Sequence, residues 1–221
     1  MSAVEFAKGQ TEVREPSAAE RAVARRTAEA RATVPDLELS VDVEVSGSLE
    51  RALSEGCSLD ALLVAACAAG LRTVPQANGA YRDGQFERYS RVNVGFVVSA
   101  SDAYLIPTVF DADQKSLRDL ADDLARLSAA AAAGELTSPA FSGATFTLWN
   151  AGPLGVDRAG IVLSPPQAAA ITAGAVRDAP IVRDGQVVPG RLLTLTLACD
   201  HRVLYGAAAA GFLRAVAAAL G

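Results

Sequence analysis

Two kinds of apolar pattern recur along the chain. Leu37-Glu38-Leu39-Ser40-Val41-Asp42-Val43-Glu44-Val45 alternates apolar with polar residues, the period of a strand with one wet face. Ala61 to Leu71 is instead a nearly unbroken apolar run, too short to span a bilayer and suited to a buried helix. Capping residues punctuate the helical segments. Ser17 opens a helix to about Thr33, Ser48 a short one to about Glu55, and Ser58 a longer one to about Val74. Lys115 to about Gly134 has the apolar spacing of a surface helix, and Gly206 to Leu220 closes the chain as an Ala-rich helix.

Further strands are expected at Arg91–Val98 and Tyr104–Phe110 around a Ser-Asp turn, with Pro107 marking an edge or a bulge. Others fall near Ala144–Trp149, Ala168–Val176 and Ile181–Val182. An Asp184-Gly185 hairpin turn leads to Val187-Val188. Leu192–Cys199 is a long β-rich run. Helices and strands mix without strict alternation, which predicts an α+β fold, a two-layer sandwich. One domain over 17–221 is expected, after a polar lead-in over 1–16 that ends at Pro16.

Composition narrows the class. A chain of 221 residues can bury a real core, and 51% apolar with 20% charged residues excludes a disordered chain. A net charge of -5 without a basic cluster argues against nucleic acid as a partner. Cys57, Cys67 and Cys199 form no CxxC pair and have one histidine to join them, so neither a disulfide framework nor a metal site is expected. The polar N-terminus lacks a signal-peptide stretch. A cytoplasmic protein with no membrane segment is the expectation.

The candidate chemistry centres on the single histidine, in Asp200-His201-Arg202-Val203-Leu204-Tyr205-Gly206. A β-run ends before it and a helix starts after it, so the side chain projects from a rigid scaffold. Histidine is also the side chain best suited to exchange a proton near pH 7. Cys199, two residues earlier, invites a Cys-His nucleophile reading, against which stands a small buried residue at a strand end.

This segment resembles the Asp-His-Arg-x-x-Asp-Gly signature of dihydrolipoyl acyltransferase catalytic domains, the cores of 2-oxo acid dehydrogenase complexes, whose fold is shared by chloramphenicol acetyltransferase. Upstream, Thr145-Phe146-Thr147-Leu148-Trp149-Asn150-Ala151-Gly152 resembles the family's Thr-Phe-Thr-Ile-Ser-Asn-x-Gly. Ser164-Pro165-Pro166-Gln167-Ala168-Ala169 is similar to its Asn-Pro-Pro-Gln-Ala-Ala, and Ala173-Gly174-Ala175 to its Val-Gly-Ala. Leu105-Ile106-Pro107-Thr108-Val109, the arginines Arg21, Arg25 and Arg26, and Val34-Pro35-Asp36 parallel further family segments. The likeness runs from about residue 16 to the C-terminus.

The resemblance implies a mixed sheet with flanking helices, a homotrimer, and acetyl-CoA as co-substrate. It implies that His201 is the general base, with Asp200, Arg202 and Gly206 as structural support, and that the active site lies between subunits. Two positions depart from the pattern. Trp149 stands where the family has its oxyanion serine, and Tyr205 where it has an acidic residue. Losing one oxyanion donor typically costs about 100- to 1000-fold in rate. Thr147, on the strand face of Trp149, and Asn150 are candidate substitutes. Trp149 and Tyr205 become candidate pocket residues, Tyr205 either hydrogen-bonding or packing there. About 16 residues precede the core, so no lipoyl group of its own is expected. The resemblance then extends to stand-alone O-acetyltransferases of tetronate and spirotetronate antibiotic biosynthesis, and implies a small-molecule hydroxyl acceptor. A catalytically silent scaffold, or a transferase using an acyl carrier protein donor, are the alternatives.

Overall fold

The computed structural model describes Gly9, residues 11–100 and residues 103–221. Residues 1–8 and 10 of the expected lead-in, and the Ser101-Asp102 turn, lie outside the described residues; residues 11–17 carry no helix or strand.

Local chemistry sets the helix starts. Ser17 and Glu20 close a capping box at α1 (Ala18–Thr33), which satisfies two otherwise orphaned donors. Ser58 caps α3 (Leu59–Thr73) by accepting from the Ala61 amide. A second capping box, Ser116 with Asp119, opens α4 (Leu117–Ala133), and Gly134 ends it at a φ of 70°. The short helix α2 (Ser46–Ser54) departs from expectation, since Ser48 lies inside it and donates back to the Val45 carbonyl. The chain is pinned earlier: the Val45 amide donates to the Arg191 carbonyl, and the Glu44 carboxylate accepts from the Ser46 amide.

Among the described residues, seven strands form one mixed sheet in the order β1-β11-β9-β8-β4-β7, with β10 also paired to β11. Here β1 is Asp36–Glu44, β4 Val94–Phe96, β7 Thr108–Val109, β8 Phe146–Asn150, β9 Ala169–Ala173, β10 Arg177–Arg183 and β11 Gln186–Asp200. The pairs β4/β8 and β8/β9 are parallel, and the others antiparallel. Two hairpins stand apart, β2 (Gly79–Arg82) with β3 (Gln85–Arg88), and β5 (Val98–Ala100) with β6 (Ala103–Leu105).

Two strand expectations are corrected and one hairpin is added. Val187-Val188 and Leu192–Cys199 belong to one fifteen-residue strand, β11. Pro189 does not interrupt the strand because it pairs with Pro180 across the ladder, a position where neither residue needs an amide hydrogen. The two strands expected over 91–110 are divided into β4, β5, β6 and β7, with Pro107 between β6 and β7 accepting from the Phe96 amide. The β2–β3 hairpin was unforeseen, although Asp83-Gly84 has the positive φ values, 50° and 79°, of the turn that such a dipeptide favours.

The pleat divides the sheet into two faces. Leu193, Leu195, Leu197 and Cys199 of β11, Phe146 and Leu148 of β8 and Ile171 of β9 pack with α3, α4 and α5 (Gly206–Leu220) in the main core. Phe146 meets Phe212 of α5 edge to face at 5.8 Å. Gly70 permits the close approach of α3 to α5, since an added Cβ would lie 2.4 Å from Val216 Cγ2. The opposite face carries Thr147, Trp149, Thr172, Thr194, Thr196 and Asp200. Leu163 from the 155–166 segment packs there with Ala170, Ala198 and Val34. Among the described residues, no single helix is long and apolar enough to cross a membrane.

Candidate active site

His201 is exposed on a turn whose backbone is held from both sides. The Asp200 amide donates to the Ala168 carbonyl, the His201 amide to the Pro35 carbonyl, and the Val203 and Leu204 amides both return to the Asp200 carbonyl. Leu204 anchors the turn in the core at full burial. Asp200 is 3% exposed, and a buried carboxylate needs a partner. Arg202 supplies one, with Nε 2.9 Å from Oδ1 and Nη2 2.7 Å from Oδ2. The Arg202 backbone amide donates to the same Oδ1. Asp200 and Arg202 thus form an ion pair on either side of His201 in the chain.

The guanidinium of Arg202 also lies over the Tyr81 ring, 4.6 Å from its centroid. Tyr81 comes from the unforeseen β2–β3 hairpin and packs on Phe86 at 5.4 Å. The same hairpin reaches the segment beside the turn, since the Ala168 amide donates to the Gly79 carbonyl. Sequence reasoning missed this support. The available signal was Asp83-Gly84 between Tyr81 and Phe86.

Tyr205 is 60% exposed and meets the His201 ring edge to face, with centroids 6.3 Å apart. It occupies the N-cap of α5 without a side-chain cap bond. Gly206, expected as structural support, shows no steric need for glycine: an added Cβ would meet nothing within 4 Å. Cys199 points to the helix-side core, donates weakly to the Leu37 carbonyl, and has its thiol pushed up to about 12 by burial. Such a thiol holds its proton near neutral pH, which does not suit a nucleophile.

On β8 the side chains separate as the pleat requires. Thr147 is 1% exposed and its Oγ1 donates to Gln167 Oε1 at 2.7 Å. Asn150 faces the other side, where its Nδ2 donates to Asp60 Oδ1 at 2.5 Å and its Oδ1 accepts from the Gly152 amide. Trp149 is half-buried beside Thr172 of β9. Within one chain, Trp149 and His201 stand apart. The ladder pairs Trp149 with Thr172 and Thr172 with Thr196. From Thr196 to Asp200 is about 13 Å along the strand, and β8 lies two strand spacings, roughly 10 Å, from β11.

Residues 8–221 match the family model of the 2-oxoacid dehydrogenases acyltransferase (catalytic domain). The chain belongs to this family. By that membership it is an acyltransferase catalytic domain, as its signature motifs implied. It is 30% identical over 203 residues to the dihydrolipoyllysine-residue acetyltransferase component of the pyruvate dehydrogenase complex of Rickettsia bellii, covering 87% of this chain and 49% of that protein. The chain spans about half the length of the curated relatives it matches. Among solved structures, the Azotobacter vinelandii dihydrolipoamide acetyltransferase superposes with a TM-score of 0.88 at 29% identity, over 100% of this chain and 96% of that one. The cubic core of a pyruvate dehydrogenase multienzyme complex has the same TM-score and coverage at 30% identity. Chloramphenicol acetyltransferase, 14% identical with a TM-score of 0.57 over 89% and 94% of the two chains, shares the fold. The α+β architecture expected from the sequence is therefore the one found.

The Azotobacter vinelandii protein was studied for a serine, a histidine and an asparagine in its catalytic mechanism. That serine precedes the histidine by 52 residues, and that asparagine follows it by four. Counted from His201, the same offsets fall on Trp149 and Tyr205, so at the second position this relative carries an asparagine and not the acidic residue of the motif.

Proposed function

We propose that this domain transfers an acetyl group from acetyl-CoA to a hydroxyl of a small-molecule acceptor, with His201 as general base. The reading rests first on His201, an exposed imidazole on a backbone fastened at Asp200, Pro35 and Leu204. His201 removes the acceptor hydroxyl proton, and the oxygen attacks the thioester carbonyl carbon. The tetrahedral intermediate collapses with cleavage of the C–S bond, and the proton returns to the sulfur of coenzyme A.

The distance between His201 and Trp149 in one chain argues for a site built from two copies, and so for the homotrimer that the family resemblance implies. The acceptor follows from the departures. With an indole and a phenol at the serine and asparagine positions, the site offers a bulkier and less polar wall. That wall fits a ring-bearing acceptor such as a tetronate intermediate better than a slender lipoyl arm.

Calorimetric titration with acetyl-CoA tests the reading without a guess about the acceptor. Saturable micromolar binding is expected. With a tetronate alcohol as acceptor, His201→Ala should lower turnover about 100-fold or more. No binding at millimolar acetyl-CoA would leave a carrier-protein donor or a silent scaffold, and wild-type turnover in His201→Ala would remove the general base.

A further inference from the structure

The proposed reaction leaves the negative oxygen of the tetrahedral intermediate without the hydroxyl that the family serine would offer. We infer that the indole N–H of Trp149 is the donor to that oxygen, an inference that rests on the reading above. The neighbouring donors of β8 are occupied. Thr147 Oγ1 gives its hydrogen to Gln167 Oε1, and Asn150 is turned to the other face with its amide on Asp60. The backbone donors that follow are taken as well: the Ala151 amide by the Ala173 carbonyl, and the Gly152 amide by Asn150 Oδ1.

Trp149 differs from all of these. It is half-buried, and among the described residues its indole N–H donates to no other group. One strand over and in register, Thr172 is 0% exposed and its Oγ1 is also without a partner. An unsatisfied buried hydroxyl costs roughly 1–3 kcal/mol; at 0% exposure the Thr172 hydroxyl is closed off, and the half-buried indole is the donor of that row open to a ligand. The indole has one donor and no acceptor, and a donor aimed at developing negative charge acts in the transition state more than in the ground state.

The protein has a single tryptophan, so its indole N–H gives one resonance and needs no assignment. The probes are coenzyme A and a coenzyme A thioether bearing a trifluoromethyl ketone, which hydrates to a tetrahedral gem-diol. The ketone should move the wild-type indole resonance, and coenzyme A should leave it nearly in place; this arm requires no variant. Trp149→Phe keeps a ring but loses the donor. It should bind coenzyme A as wild type does and the ketone about 10-fold or more weakly, while Thr172→Val keeps wild-type affinity for both. An unmoved resonance, full ketone affinity in Trp149→Phe, or the loss appearing in Thr172→Val instead would each overturn the inference. Wild-type protein that binds neither probe would overturn the proposed function itself, and this inference with it.

Discussion

Asp200 grips the Arg202 guanidinium with both carboxylate oxygens, at 2.9 and 2.7 Å, and the residue between them in the chain is His201. The ion pair is half of a brace, since the other face of the guanidinium rests on Tyr81. Replacing Arg202 by Ala leaves a nearly buried carboxylate without its partner. A loss of about 2 kcal/mol is expected, seen as a lower urea midpoint, with turnover falling as the turn loosens. Arg202→Lys keeps the charge without the planar fork and should fall between. An unchanged midpoint in Arg202→Ala would remove the brace from the account.

Tyr205 caps α5 by position and not by hydrogen bond. Tyr205→Asp places an acceptor over the free amides of the first turn, a change of about 1 kcal/mol in favour of the fold. For a chain of this size the melting temperature should rise by about 2–4 °C, while His201 loses its edge-on neighbour. Calorimetry showing a lower melting temperature would mean that the ring contact outweighs the cap.

Gly174 and Gly206 make opposite expectations. An added Cβ at Gly174 would stand 1.9 Å from the Asp157 carbonyl oxygen, a backbone atom of the segment running to the Trp149 face. Gly174→Ala should cost on the order of 3 kcal/mol. Gly206 opens onto empty space at the start of α5, and Gly206→Ala should leave stability equal or higher. Denaturant curves of the two variants decide it; equal losses would contradict both contacts.

Burial pushes the Asp60 carboxyl above its ordinary value of 3.8, and the hydrogen bond from Asn150 only partly opposes this. The native state therefore holds that proton more tightly than the unfolded chain. Its contribution is complete below the ordinary value and is lost as pH rises through the raised one. Asp60→Asn has no charge to bury, so its stability relative to wild type should increase from pH 4 to pH 7. A difference that stays constant across that range would rule out the burial effect.

Much of the scaffold was legible in one dimension because its causes are local. The Ser17 and Ser58 caps, the alternation of β1 and the apolar runs of α3 and α5 depend on neighbours within a few residues. Family motifs then located His201, Asp200, Arg202 and the two departures at Trp149 and Tyr205. Ser48 misled because a different local contact, Glu44 on the Ser46 amide, combined with the remote tie from Val45 to Arg191. β11 was read as Val187-Val188 and Leu192–Cys199 because its continuity depends on remote pairing with β10 and β1, where Pro189 meets Pro180.

What the chain determined by itself was periodicity, capping and the identity of the reactive turn, each set by side chains close in sequence. Tertiary structure alone decided which donors are free. Thr147 and Trp149 share a strand face, yet only folding brings Gln167 to the threonine and leaves the indole without a partner among the described residues. It also decided that Tyr81 braces Arg202 and that His201 and Trp149 stand on separate parts of one sheet. Those relations join residues tens to more than a hundred positions apart, and hydrogen-bond saturation is a property of what packs around a group.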